Sequence, residues 1–82
     1  MVESTPVDWA TWECHPLGDE IVVVLKGKGT FIQLIDDVEQ RIAVEAGSAL
    51  INPAGVWHTA DVEEPIEAIY ITPCPDTQHR PR

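Results

Sequence analysis

The sequence predicts an all-β domain built as a small antiparallel β-barrel, and three observations carry that expectation. The apolar stretches are short and rich in β-branched residues. Gly, Pro, Asn and Asp turn signals separate them at intervals of about eight to twelve residues. Sustained 3.6-residue periodicity is missing, so an amphipathic helix has nothing to stand on. With 82 residues there is enough chain for one domain over 1–82, and a barrel suits that length better than an immunoglobulin-like sandwich of about 100 residues.

Each element follows from its own composition. Val7 to Glu13 holds two tryptophans and a threonine and reads as a first strand. Pro16 and Gly18 then break the chain into a loop before Glu20 to Leu25, a near-continuous apolar strand. Lys26-Gly27-Lys28-Gly29 reads as a turn leading to Thr30–Ile35. Asp36-Asp37-Val38-Glu39 reads as a polar hairpin turn into Gln40–Glu45. The spacing of Val38, Ile42 and Ala46 also fits a short helix, but Gln40 to Glu45 alternates, and strand is the better reading. Ser48–Ile51, Val56–Val62 and Ile66–Thr72 complete the strands, divided by Asn52-Pro53-Ala54-Gly55 and Glu63-Glu64-Pro65. Thr77 to Arg82 shows no regular pattern and reads as a solvated tail.

Composition removes several functional classes. A net charge of −9, from fourteen acidic and five basic residues, opposes binding to nucleic acid, whose phosphates need a basic surface. No apolar run approaches the roughly 20 residues that span a bilayer as a helix. The opening MVESTPVDWATWE lacks the basic and apolar regions of a secretion signal, so the expected location is cytoplasmic, without a membrane partner. Cys14 and Cys74 do not make a disulfide scaffold, and without a C-x-x-C pair they do not suggest a zinc finger.

The chemistry-bearing residues gather in two segments, ECHPLGDEIVVVLKG and LINPAGVWHT. Side chains two apart on a strand share a face, which pairs Glu13 with His15, Glu20 with Val22 and Val24, and His58 with Val56 and Ala60. If those faces line a barrel, Glu13, His15, Glu20 and His58 converge at one end of it. Two imidazoles with one or two carboxylates suit a divalent transition metal: Fe, Mn, Ni, Zn or Cu. Trp57, next to His58, points the other way. Trp9, Trp12 and Trp57 are read as core or interface mass, and Phe31 and Tyr70 as residues that could face a cavity.

These segments resemble the paired motifs of the cupin superfamily. His15, Glu20 and Gly27 fit H-x4-E-x6-G, while Gly47, Pro53, Gly55 and His58 fit G-x5-P-x-G-x2-H. The resemblance runs from about Trp12 to Thr72, and it implies a β-barrel with metal ligands at His15, Glu20 and His58. Glu13 stands where the family usually has a further histidine, and Val62 where it usually has asparagine. Glu13 is therefore read as a fourth, oxygen ligand.

Two functions follow from an interior metal beside apolar walls formed by Val22, Val24, Val56 and Ala60. One is a metal-dependent enzyme, an oxygenase, isomerase or lyase acting on a small organic molecule. The other is a binding or sensor module with a metal-free polar pocket, in which the histidines hydrogen-bond with Glu20 and a small molecule is held without turnover. No general acid or base identifies itself in the sequence. A thin core and three tryptophans further suggest a homodimer, with Val2 to Thr11 adding a strand to the neighbour's sheet.

Overall fold

The computed structural model describes residues 1–73 and 75–82, and none of these is helical. Seven strands are assigned among them: β1 (Val2–Thr5), β2 (Thr11–Cys14), β3 (Glu20–Ile35), β4 (Val38–Glu45), β5 (Ala49–Asn52), β6 (Trp57–Ile71) and β7 (Gln78–Pro81). All pairings are antiparallel. Among the described residues no helix is long and apolar enough to cross a membrane.

A long β3–β6 ribbon organises the barrel. Its first part, from Ile21 of β3 against Ile71 of β6, is flanked by β5 on one side and β1 on the other. Its second part, running to Leu34 against Trp57, is flanked by β4 and by β2, with β7 outside β2. Register shifts between Val24 and Gly29 bend the ribbon from one layer into the other. Gly27, at φ 89°, sits in that bend with Pro65 against it. The Lys26–Gly29 segment is thus a bulged bend within one sixteen-residue strand, not the turn its glycines suggest. Glu63-Glu64-Pro65 likewise lies within β6, because bulged pairing tolerates a proline that a regular central ladder would not.

Phe31, Val22, Val24, Val44, Leu50, Ala60, Ile66, Ala68 and Tyr70 fill the space between the layers. Alternation places Val22 and Val24 there: both are buried while Ile21 and Leu25 on the same strand are exposed. Val38–Glu45 pairs residue for residue with β3, which settles strand over helix, and Asp36 and Asp37 alone make the turn, both with positive φ.

Both ends of the chain differ from expectation. Val2–Thr5 pairs with the chain's own β6, from Val2 opposite Ile69 to Thr5 opposite Ile66. Between β1 and β2 the chain is tied down by single bonds instead of a ladder: Trp9 N–H donates to the Ala60 carbonyl, and Asp8 accepts from Val62 N–H. The tail is structured too. β7 pairs with β2, Arg80 lies 4.5 Å over the Trp57 ring, and Arg82 meets Asp61 at 2.7 Å. A pairing of Cys14 with Cys74 lies outside the described residues; Cys14 itself is buried.

Candidate metal centre

The expected residues do meet at one end of the barrel. Glu13 on β2 stands directly opposite His58 on β6, and Gln33 flanks His58 from β3 on the other side. His15 follows β2 into the loop, and Glu20 opens β3 opposite Asn52 at the end of β5. The Asn52–Gly55 turn positions the second segment: Asp19 accepts from Ala54 N–H at 2.8 Å, and Gly55 N–H donates to the His15 carbonyl.

His15, Glu20 and His58 are all buried, whereas Glu13 is partly open to solvent. The Glu20 carboxylate straddles the two imidazoles, with Oε2 at 3.3 Å from His15 Nε2 and Oε1 at 3.3 Å from His58 Nε2. The imidazole rings are 5.1 Å apart between centroids. Glu13 approaches from the mouth, 3.7 Å from His15 Nε2 and 3.8 Å from His79 Nε2. One atom each from Glu13, His15 and His58 falls within 4.8 Å of the others.

The other ring nitrogens fix the histidines. His58 Nδ1 faces the Val56 carbonyl at 3.3 Å, and His15 Nδ1 pairs with Thr77 Oγ1 at 3.0 Å. A carbonyl only accepts, so the His58 proton belongs on Nδ1 and a lone pair remains on Nε2. Both Nε2 atoms are buried without a hydrogen-bond partner. Held 3.3 Å from a carboxylate oxygen, each Nε2 meets it favourably only through a cation, either a proton on the ring or a metal ion between the two. Donors around a transition metal sit at about 2.0–2.2 Å from it, so small side-chain movements would close this arrangement on a divalent ion. The donor set fits such a metal.

A polar network steadies Glu20 from behind. Asn52 Nδ2 donates to Oε1 at 3.0 Å, Thr72 Oγ1 donates to Oε2 at 2.5 Å, and Gln33 Nε2 donates to Asn52 Oδ1 and the Ile51 carbonyl. Burial alone would raise the Glu20 pKa, but the contact with His58 and the bonds from Thr72 and Asn52 overcome it and hold the carboxyl at about 2. Such outer support is what a ligating carboxylate needs to keep its orientation.

A cavity of about 490 Å³ opens beside these residues. Glu13, His15 and Glu20 form its floor, Trp9 and Tyr70 give it aromatic walls, and Glu3 stands on β1 at its lining. Val22, Val24 and Ala60, expected as walls, are packed in the core instead, and Val56 does not reach the lining. The inward faces of β3 and β6 at those positions meet the opposite layer, leaving no space for a ligand. Trp9 stacks edge-on against Phe31 and lies 6.0 Å from the His58 ring, so it serves both core and cavity.

Gln33, Asn52, Thr72 and Trp9 belong to the site although neither motif marks them. Gln33 had left a signal, since it shares parity with Phe31 on an otherwise apolar inward face. Asn52 was masked by its turn context.

Comparisons with known proteins agree with this architecture. The cupin domain family model matches residues 1–72. A DUF861-family protein from Thermotoga maritima, known from its crystal structure, superposes with a TM-score of 0.67 at 19% identity, covering 88% of this chain and 76% of that one. At that identity the likeness speaks for the fold alone. No curated protein matches the chain. With the motifs on adjoining strands and the family model spanning nearly all of it, the chain belongs to the cupin domain family.

Proposed function

We propose that this barrel holds a divalent transition metal through His15, Glu20 and His58, with Glu13 as a fourth ligand, and binds a small organic molecule in the adjoining cavity. The observation that carries this reading is the pair of buried, unpartnered Nε2 atoms on either side of the Glu20 carboxylate. When bound, the metal supplies Lewis acidity toward a carbonyl or carboxylate oxygen or, according to its identity, redox chemistry with dioxygen.

The chain's own residues set what else the cavity does. Tyr70 is 6% exposed and lines the cavity. Burial pushes its pKa up, Thr5 opposes the shift, and the carboxylates of Glu20, Glu3 and Glu13 add to it. The phenol is therefore a neutral donor at physiological pH, suited to a ligand oxygen or to delivering a proton. Trp9 offers a flat apolar surface, and Glu3 accepts from a hydroxyl or amine at the mouth. An oxygenase, isomerase or lyase would find in Tyr70 the titratable group that the sequence did not reveal. The binding-module reading keeps one supporting observation, that Glu20 is already satisfied by Asn52 and Thr72.

Titrating Mn²⁺, Ni²⁺ or Zn²⁺ into chelator-treated protein tests the proposal, with tryptophan fluorescence as readout because Trp9 lies against His58. One equivalent should saturate the signal, and acidification should weaken binding, since imidazole ligates only in its neutral form. His15→Ala should remove the response. Tyr70→Phe should leave metal affinity unchanged while weakening a small carboxylate, such as oxalate, about tenfold by calorimetry. A parent protein that gives no metal response denies the metal reading.

A further inference from the structure

β7 ends its sheet, all four of its residues are exposed, and none joins the hydrophobic core. Backbone pairing alone would suffice to cover the edge of β2. The side chains of β7 reach further. Glu13 on β2 has His58 opposite it on β6 and His79 opposite it on β7, and His58 in turn faces Gln33 on β3. Directly opposed residues share a sheet face, so Gln33, His58, Glu13 and His79 form one polar row across four strands. Gln78 and Arg80 have the other parity on β7. Arg80 lies over Trp57, the neighbour of His58 that faces away from the row, in keeping with that register.

The two oxygens of Glu13 divide along the row. Oε1 stands 3.7 Å from His15 Nε2, on the side of the metal centre, while Oε2 stands 3.8 Å from His79 Nε2. The other three ligands have supports of their own: Asn52 and Thr72 on Glu20, the Val56 carbonyl on His58, and Thr77 on His15. Glu13 is partly open to solvent, and its flexible side chain has rotamers that carry the carboxylate away from the metal.

We propose that His79 is a positioning residue for the metal centre: from β7 it holds Glu13 in the orientation that leaves Oε1 to ligate. The inference rests on the metal reading above and names what selects the fourth ligand. Neither sequence motif reaches β7, yet the strand is fixed well enough for this task. Its ladder to β2 runs from Cys14 opposite Gln78 to Thr11 opposite Pro81. Beyond it the Arg82 guanidinium donates to the Trp9 carbonyl at 2.9 Å and pairs with Asp61 at 2.7 Å. A contact as open to solvent as that of His79 with Glu13 contributes little to folding, so its effect belongs at the metal.

Calorimetric titration of Zn²⁺ into chelator-treated protein tests this. His79→Leu should weaken Zn²⁺ binding about tenfold, the low end for an outer partner of a metal ligand, because the ring is half open to solvent. The metal-free variant should melt within about 4 °C of the parent. His79→Gln keeps an N–H donor and should recover most of the affinity, and Gln78→Leu, on the opposite face of β7, should leave it unchanged. In a Glu13→Ala background, His79→Leu should cost nothing further, since the carboxylate it positions is gone. With saturating Co²⁺, the visible absorption of His79→Leu should move from that of the parent toward that of Glu13→Ala. A His79→Leu variant with the parent's Zn²⁺ affinity overturns this inference and leaves the metal reading standing. A loss that persists in the Glu13→Ala background also overturns it, because His79 would then act on the metal without Glu13. A parent that binds no Zn²⁺ overturns both.

Discussion

Gly27→Ala should lower the melting temperature by more than about 12 °C, corresponding to roughly 3 kcal/mol or more in a domain of this size. Two effects combine. Gly27 has a φ of 89°, which an L side chain adopts only under strain. A methyl group there would also overlap the Pro65 carbonyl and come within 2.8 Å of Ile66 Cα. These contacts are backbone, at the bend where the β3–β6 ribbon crosses between layers, so neither side can yield without disturbing both sheets. Gly47 provides the comparison. Its φ of 93° is similar, but a methyl group there would meet nothing within 4 Å. Gly47→Ala should therefore cost about 1 kcal/mol, from backbone strain alone. Thermal denaturation of the two variants separates the terms, and equal losses would show that close packing at the bend is not what requires Gly27.

That bend also marks where the sequence was hard to read. Gly27 and Gly29 announce an interruption, and the natural interpretation is a reversal between two strands. A turn and a bulged bend use the same residues, and the choice depends on whether β6 stays alongside, a long-range fact that local composition does not contain. The C-terminal strand was hidden for a related reason. Gln78–Pro81 is exposed throughout and has no apolar alternation; it is held by its ladder to β2 and by Arg80 and Arg82, partners far away in the chain. The metal-centre residues were legible because strand parity is local: Glu13 with His15, and Glu20 with Val22, follow from counting by two. What counting could not supply was the support behind them. Asn52 looks like any turn asparagine until β5 is placed opposite Glu20, and Thr72 reads as the end of a strand until its hydroxyl meets the same carboxylate. Trp9 reads from the sequence as core or interface mass, and in the fold it packs against the core while also lining the cavity.

Acid should unfold the metal-free protein through Glu20 more than through any other single group. Its carboxyl is held at about 2 against an ordinary value of 4.5. A carboxylate with a depressed folded-state pKa contributes stability that is fully present above about pH 4.5 and is lost as pH falls through about 2. At 1.36 kcal/mol per pH unit, the displacement is worth about 3 kcal/mol, a large share of what an 82-residue domain possesses. Denaturant titrations of the parent between pH 5 and 2 should show this decline. Glu20→Gln keeps the shape, loses the charge, and should be both less stable at pH 6 and flatter across that range. A variant with the parent's full acid dependence would place the loss in other carboxylates.

The proposed centre surrounds a divalent metal with two buried imidazoles, Glu20 and Glu13. Elemental analysis of untagged protein, purified without chelator, tests it most directly, run beside His58→Ala. The parent should carry about one equivalent of a single transition metal per chain, and a folded His58→Ala almost none. A parent that carries no metal and takes up none on incubation would contradict it, and so would a His58→Ala variant that retains the parent's full content.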